Sequence, residues 1–160
     1  MNGRHILIGC GVFCAIGLLA AGVGVAFLWH VVEDPKGVVV SIEGPKTVAL
    51  TEEFTVTVVV QNQRAKSVFD LTDVDISEEY LNNFLVLDTT PVATSNEHVP
   101  LVNKRSYKFN HPINAGESAR FAFHLRPVKA GLYQGDVDVN EGMKSLSTQV
   151  QTLVEARKAP

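Results

Sequence analysis

The sequence predicts an all-β domain of two packed sheets, preceded by a single membrane-spanning helix. Two observations predict this fold class. The chain opens with an uncharged apolar segment that is long enough to cross a bilayer as a helix. After that segment, hydrophobic residues recur with a period of two, as they do in half-buried strands, and Gly, Pro, Asn and Asp residues separate the runs.

The apolar segment extends over residues 6–32, which include no charged side chain. Its most apolar part, from Ile6 to Trp29, spans about 36 Å as a helix. Because the hydrocarbon core of a bilayer is about 30 Å thick, this length is sufficient to cross it. Trp29 lies where aromatic residues anchor a helix at the membrane surface. We therefore predict a transmembrane helix over residues 6–32.

Charges on either side of the apolar segment predict its orientation. Arg4 precedes the segment, whereas Glu33 and Asp34 follow it. The positive-inside rule then places residues 1–5 in the cytoplasm and the rest of this single-pass chain on the extracytoplasmic side of the cell membrane. A cleaved signal peptide that releases a secreted domain is the alternative, although such peptides have apolar regions of only about 7 to 15 residues.

Small residues recur at four-residue spacing along the apolar segment, and small residues let a second helix approach closely. The candidate helix-packing face consists of Gly17, Ala20, Ala21 and Gly24. This face favours an accessory or structural subunit that assembles into a membrane complex through its helix. The plainer interpretation is that bacterial membrane spans are generally rich in Gly and Ala.

Composition excludes several classes of protein. Apolar residues make up 46% of the 160 residues and charged residues 19%, which is too hydrophobic for a disordered chain. All 17 acidic residues and all but one of the 14 Lys and Arg residues follow the apolar segment, so that part of the chain is mildly acidic. It lacks the excess of basic residues that is typical of proteins that bind nucleic acid. Cys10 and Cys14 both lie in the apolar segment, so residues 33–160 form neither a disulfide nor a thiolate metal site.

The remaining chain divides into a short polar linker over residues 33–37, a β domain over 38–155 and a disordered tail over 156–160. Within the β domain, alternation of apolar and polar residues predicts seven or eight strands separated by turn residues. The predicted strands are 38–43, 54–61, 69–76, 84–88, 105–109, 119–126, 133–140 and 145–154. One helical turn is expected between Ser77 and Phe84.

Several pieces of this pattern carry a family resemblance. They are Ser41–Pro45, Glu52–Val58 leading to Gln61 and Asn62, Asn114–Ser118 before a Phe-rich strand, and Lys129–Val137. The chain resembles the bacterial extracytoplasmic immunoglobulin-like domains of the conserved-repeat and CARDB-like kind over most of residues 38–155. Where many of those domains have Gly before the Glu of the second strand, this chain has Thr51. The resemblance implies an immunoglobulin-like antiparallel β-sandwich, and it implies nothing about a partner.

Aspartates form the first candidate site. Asp70, Asp73, Asp75, Asp136 and Asp138 alternate along two predicted strands. If those strands are neighbours, several carboxylates converge in a way that suits Ca²⁺. Alternating Asp also marks the solvated face of a sheet, and we favour that interpretation. The sequence therefore predicts no metal and no cofactor, and the widely spaced His98, His111 and His124 do not change this expectation.

The second candidate site is the least regular stretch of the β domain, residues 89–103. It is polar, contains two prolines and is interpreted as a connection between sheets. Because loops on rigid scaffolds often carry function, Val92, His98, Val99 and Leu101 are the candidate partner-binding loop residues.

No catalytic motif is present in the sequence. It has no GxSxG nucleophile elbow, no HExxH pair and no phosphate-binding Gly loop after a strand. We therefore expect a non-catalytic interaction module, anchored in the membrane by its helix, which binds an unidentified protein or glycan on the extracytoplasmic side.

Overall fold

The computed structural model describes residues 35–156, which form ten β-strands and one short helix. The elements are β1 (Val38–Glu43), β2 (Thr47–Ala49), β3 (Phe54–Asn62), β4 (Phe69–Ser77), α1 (Glu78–Leu81), β5 (Phe84–Thr90), β6 (Ser95–Val99), β7 (Lys104–Ile113), β8 (Ser118–Pro127), β9 (Gly131–Glu141) and β10 (Lys144–Glu155).

The strands form two sheets. The four-stranded sheet has the order β1-β3-β8-β5, and the six-stranded sheet has the order β2-β10-β9-β4-β7-β6. Every strand pair is antiparallel except β2 with β10, which is parallel. The prediction of an all-β, two-sheet sandwich is confirmed.

Alternation along each strand explains why the sheets pack face to face. In β3, the side chains of Val56, Val58 and Val60 are buried, whereas the intervening Thr55 and Thr57 lie on the outer face. Successive side chains of a strand point to opposite faces, so one apolar face of each sheet is available to form a core. Each fully buried side chain of this kind contributes about 1.5 to 3 kcal/mol to folding.

The order of the strands matches that of immunoglobulin-like sandwiches. In those folds, strands A, B, E and D form one sheet and strands C, F and G form the other. Here, β1, β3, β8 and β5 occupy the first set of positions, and β4, β9 and β10 occupy the second. Strands β7 and β6 extend the second sheet, although they follow β5 in the chain.

Ten strands are present where seven or eight were predicted, because two short strands at sheet edges escaped prediction. Strand β2 is three residues long and buries only Val48. Strand β6 (sequence SNEHV) has no buried residue, so it shows no alternation of apolar and polar positions. Backbone pairing with β7 defines β6, and the prediction of an irregular stretch over residues 89–103 is therefore wrong for residues 95–99.

Residues at the start of the described chain are fastened to the domain. The Gln63 N–H donates to the Gly37 carbonyl at 2.7 Å, and Arg64 Nε donates to the Lys36 carbonyl at 3.1 Å. Arg64 also forms a 2.7 Å ion pair with Glu141, which lowers the pKa of Glu141. The chain enters the sandwich at the end where Arg64 and Glu141 lie. Strands β1 and β10 both start at that end and run to the opposite one, where the chain leaves β10.

The predicted membrane-spanning helix over residues 6–32 lies outside the described residues, as does the helix-packing face of Gly17, Ala20, Ala21 and Gly24. Within residues 35–156, no helix is both long enough and apolar enough to span a membrane. The last four residues of the predicted tail also fall outside the described range.

Candidate functional site

A cleft of about 530 Å³ opens at one side of the sandwich. It lies between β5, the last strand of the four-stranded sheet, and the β6–β7 hairpin at the edge of the six-stranded sheet. Residues from α1 border the cleft as well. This volume falls within the range of about 300 to 1,000 Å³ that is typical of ligand sites.

Aromatic packing builds the wall of the cleft beside α1. Phe84, the first residue of β5, is buried, and its ring lies 4.7 Å from the ring of Tyr80 and 5.4 Å from that of Phe54. Tyr107 forms part of the opposite wall and packs edge-on against Phe123 at 5.1 Å. These buried rings hold the walls of the cleft in place, while polar side chains make up the larger part of its surface.

A buried carboxylate ties α1 to the hairpin. The Glu78 side chain is only 7% exposed, and its Oε1 lies 3.0 Å from Arg105 Nη2 and 3.1 Å from His98 Nδ1. His98 and Arg105 are cross-strand partners in β6 and β7. The Glu78 N–H also donates to the Asn103 carbonyl at 3.0 Å, so one residue joins the helix to both strands and to their turn.

Helix α1 is fixed in position by its cap and by close packing. The Ser77 hydroxyl accepts a hydrogen bond from the Tyr80 N–H, which makes Ser77 the N-cap. The Tyr80 hydroxyl lies 2.9 Å from the Thr152 hydroxyl, and burial raises the pKa of Tyr80 to about 12. Gly135 of β9 lies beneath the helix, where a Cβ would lie 2.7 Å from Tyr80 Cβ and overlap the Ser77 hydroxyl.

Several polar groups at the cleft contact a neighbouring charged side chain. Burial raises the pKa of Tyr107 to about 12, so its hydroxyl stays protonated at neutral pH. Glu78 is committed to Arg105 and His98. Asp88, whose side chain is 66% exposed, has His124 at 3.5 Å.

The four residues of the predicted partner loop do not form one loop. Val92 is 82% exposed and borders the cleft, whereas Leu101 is 95% exposed and lies in the turn at the far end of β6. Between them, Val99 pairs with Lys104 in the hairpin, and His98 contacts Glu78. The edge strand β6 separates the two exposed apolar residues, so only Val92 of this set lines the cleft.

Three of the five aspartates converge, because β4 and β9 are neighbours. Asp75 is directly opposite Asp138, and Asp73 is opposite Asn140. Asn140 Nδ2 donates to Asp75 Oδ2 at 3.0 Å and also to Asp73. Lys104 forms an ion pair with Asp138.

These carboxylates do not make a metal site in the part of the chain that the structure describes. Across residues 35–156, no group of three or more His, Cys, Asp or Glu side chains is arranged to hold a metal ion. His111 packs against the Phe121 ring at 5.7 Å, and His124 Nδ1 lies 3.1 Å from the Thr55 hydroxyl. The histidines thus lie apart, on different elements.

The sequence interpretation assigned no site role to Glu78, Arg105 or Leu87. One local signal was available for Glu78: Ser77 followed by two Glu residues is typical of an N-cap with an acidic first turn. Its contact with Arg105 joins residues far apart in the chain, and the cleft beside Leu87 exists only because two strands from different sheets face each other there.

No protein-family model matches the chain, and no curated protein matches it. Solved structures do resemble it. A cohesin module of a family 33 glycoside hydrolase from Clostridium perfringens has a TM-score of 0.52 at 10% identity, over 77% of this chain and 100% of that one. AvmM, which catalyses macrocyclization in alchivemycin A biosynthesis, has a TM-score of 0.53 at 10% identity, over 80% of this chain and 94% of that one.

The CARDB domain of a Pyrococcus furiosus protein, solved in complex with di-metal ions, is a third similar structure. It has a TM-score of 0.46 at 16% identity, over 78% of this chain and 91% of that one. The two likenesses with higher TM-scores show the sandwich fold alone. A cohesin module and a protein that catalyses macrocyclization share it, so the function has to be argued from the site.

Proposed function

We propose that the chain is a membrane-anchored, non-catalytic interaction module, which displays its β-sandwich on the extracytoplasmic side and binds a partner protein or glycan. The observation that carries the proposal is the cleft between β5 and the β6–β7 hairpin, where the exposed apolar side chains of Leu87 and Val92 stand among polar groups. The apolar segment over residues 6–32 supports the membrane anchor, because its length and lack of charge suit a bilayer.

Electrostatic pairing at the cleft supports a binding role without catalysis. Glu78 Oε1 contacts both Arg105 and His98, and Tyr107 keeps its proton. Such groups fix the shape of the cleft, while its apolar residues supply the free energy of binding when a partner covers them.

Site-specific photo-crosslinking tests the binding role. A photoreactive amino acid replaces Val92 at the cleft in one version of the full chain and Gln151, on the outer face of the six-stranded sheet, in the other. After irradiation of intact cells, we expect a discrete crosslinked product from position 92 only. Identical products from both positions, or none from position 92, would contradict the proposal.

A second candidate function is an accessory subunit that assembles through its helix, and Gly17, Ala20, Ala21 and Gly24 favour it. Replacing Gly17, Ala21 and Gly24 together by Leu separates the two functions. If the helix assembles the complex, the native-gel size of the detergent-extracted complex falls. If the helix is only an anchor, the size stays the same and crosslinking at the cleft persists.

Location is tested separately from binding. Protease added to cells with a permeable outer envelope is expected to digest the β domain and to leave the apolar segment in the membrane fraction. A mature protein that begins after residue 22 would instead indicate a cleaved, secreted sandwich.

A further inference from the structure

The two lateral sides of the sandwich differ. On one side, β1 continues through Gly44–Lys46 into β2, which pairs with β10, so the chain itself passes from one sheet to the other. On the opposite side, β5 ends one sheet and β6 ends the other, and the cleft separates them. Among residues 35–156, β8 is the only strand paired with β5.

Strand β5 lacks several of the features that protect edge strands. Exposed edges usually carry Lys or Pro, or are very short, so that they do not pair with other chains. Strand β5 is seven residues long, contains no Lys, Arg or Pro, and exposes Leu85 and Leu87 at 50% and 37%. By contrast, β2 has three residues, and β6 is polar.

An irregularity in β5 directs an apolar side chain towards the cleft. Val86 pairs with Leu125 and Asp88 pairs with His124, which leaves Leu87 as the extra residue of a β-bulge. Leu87 lines the cleft, where Val86 and Ala93 add further apolar surface. Bulges often re-aim side chains next to binding sites, and this one also splits the edge into two short segments that discourage sheet-to-sheet aggregation.

Charge defines what a ligand of this edge must carry. Glu78 is neutralised by Arg105 within the cleft. Asp88 is far more exposed, and its ion-pair partner His124 is charged only when protonated. Asp88 thus presents an exposed carboxylate beside the β5 edge, and this carboxylate attracts a basic side chain.

We infer that β5 is a docking edge for an extended segment of a partner protein, which adds to the sheet as a further strand. The segment inserts an apolar side chain beside Leu87 and places a Lys or Arg near Asp88. The inference rests on the proposed binding role and deepens it. A polypeptide is the fitting occupant because only a backbone supplies a regular series of N–H and C=O groups to an open strand edge, while alternate side chains give specificity.

Binding of designed peptides to the full chain in a mild detergent tests this inference. The probe is a capped hexapeptide in which lysine alternates with valine. Two matched peptides accompany it: the same sequence with alternate amides N-methylated, which removes backbone donors, and a version with glutamate in place of lysine. We expect each change to weaken binding at least about tenfold. Equal binding of the probe and its N-methylated form would overturn strand addition.

Variants of the protein locate the binding edge. Leu87→Lys is expected to abolish binding of the lysine–valine peptide, because it fills the cleft border with a like charge. Asp88→Asn should remove the preference for the basic peptide over the acidic one. Leu132→Lys, at a residue 61% exposed on the other sheet, is the matched control and should bind like the unaltered chain. If Leu87→Lys and Leu132→Lys weaken peptide binding equally, the added charge alone explains the effect and the inference is wrong.

The crosslinking experiment separates this inference from the proposed function. If position 92 crosslinks a partner and the Leu87→Lys change leaves that product intact, the binding role stands and strand addition at β5 is wrong. If Leu87→Lys removes the product while folding is unchanged by circular dichroism, both stand. If position 92 yields no product but the peptide binds β5 selectively, strand addition stands and the cleft-centred function does not.

Discussion

Asp75 and Asp138 face each other across β4 and β9, and each keeps one carboxylate oxygen buried without a hydrogen-bond partner among the described residues. Their other oxygens are engaged, by Asn140 and Lys104 respectively. Like charges directly opposite each other on a sheet are destabilising. Burial raises the pKa of Asp75, Ser106 opposes the rise, and the neighbouring Asp73 adds to it.

Asp75→Asn is expected to stabilise the domain at neutral pH. Because the pKa of Asp75 is higher in the folded state than the unfolded value of about 3.9, its protonated form favours folding. That contribution is complete below the unfolded pKa and is lost as the pH rises through the folded pKa. The free energy of unfolding of the variant should therefore exceed that of the unaltered chain by about 0.5 to 1 kcal/mol at pH 7 and should be unchanged near pH 3. The gain at pH 7 is small because the Asp75 side chain is partly exposed.

Urea unfolding of the full chain, followed by circular dichroism at both pH values, measures this gain. Asp136→Asn, on the same outer face of β9, is the control and should change little. A variant that is no more stable than the unaltered chain at pH 7 would show that Asp75 is not strained by its neighbours.

Glu78→Ala is expected to destabilise the fold by about 2 to 3 kcal/mol, because it leaves Arg105 without its carboxylate and removes the side-chain contacts between α1 and the β6–β7 hairpin. The adjacent Glu79→Ala removes an exposed carboxylate and should cost less than about 0.5 kcal/mol. Chemical denaturation of both variants makes the comparison. If the two substitutions lower the free energy of unfolding by similar amounts, the ion pair between Glu78 and Arg105 does not stabilise the fold.

Gly135→Ala is expected to cost about 2 to 3 kcal/mol, because its Cβ would overlap the Ser77 hydroxyl and crowd Tyr80 beneath α1. Gly142→Ala provides the contrast: this glycine has a φ of 61° but open space around it, so only backbone strain of about 1 kcal/mol is expected. Thermal unfolding ranks the variants. If Gly142→Ala proves the more damaging, packing of α1 on β9 is looser than the structure indicates.

Thr51→Gly is expected to stabilise the domain by about 0.5 to 1 kcal/mol. Thr51 has a φ of 74°, a left-handed conformation that suits Gly and strains a β-branched residue. Thr57→Gly, in the interior of β3, should instead destabilise the domain, since Gly weakens a strand. Melting temperatures of the two variants should therefore shift in opposite directions, and a fall for Thr51→Gly would contradict the argument.

The left-handed backbone of Thr51 could be predicted in part from the sequence. Many of the immunoglobulin-like domains that the sequence resembles have Gly at this position, and the left-handed backbone of Thr51 gives the physical reason. All eight predicted strands are present, because each one buries a single face and so alternates in hydrophobicity. Strand β6 was not predicted because it has no buried face, so its sequence does not alternate between apolar and polar residues.

The candidate sites depended on contacts that local patterns do not contain. Convergence of Asp75 with Asp138 followed from the pairing of β4 with β9, which no spacing along the chain reveals. The cleft likewise arises where edge strands of two different sheets face each other. Alternation identifies which residues point inward, but it does not say which strand stands next to which.

The polypeptide enters the sandwich beside Arg64 and leaves it at the far end of β10. Tension between these two points therefore acts along the strands. This tension loads all of the hydrogen bonds between β1 and β3 at once, in shear, instead of breaking them one after another. A domain pulled at these two points would resist unfolding better than its modest size suggests.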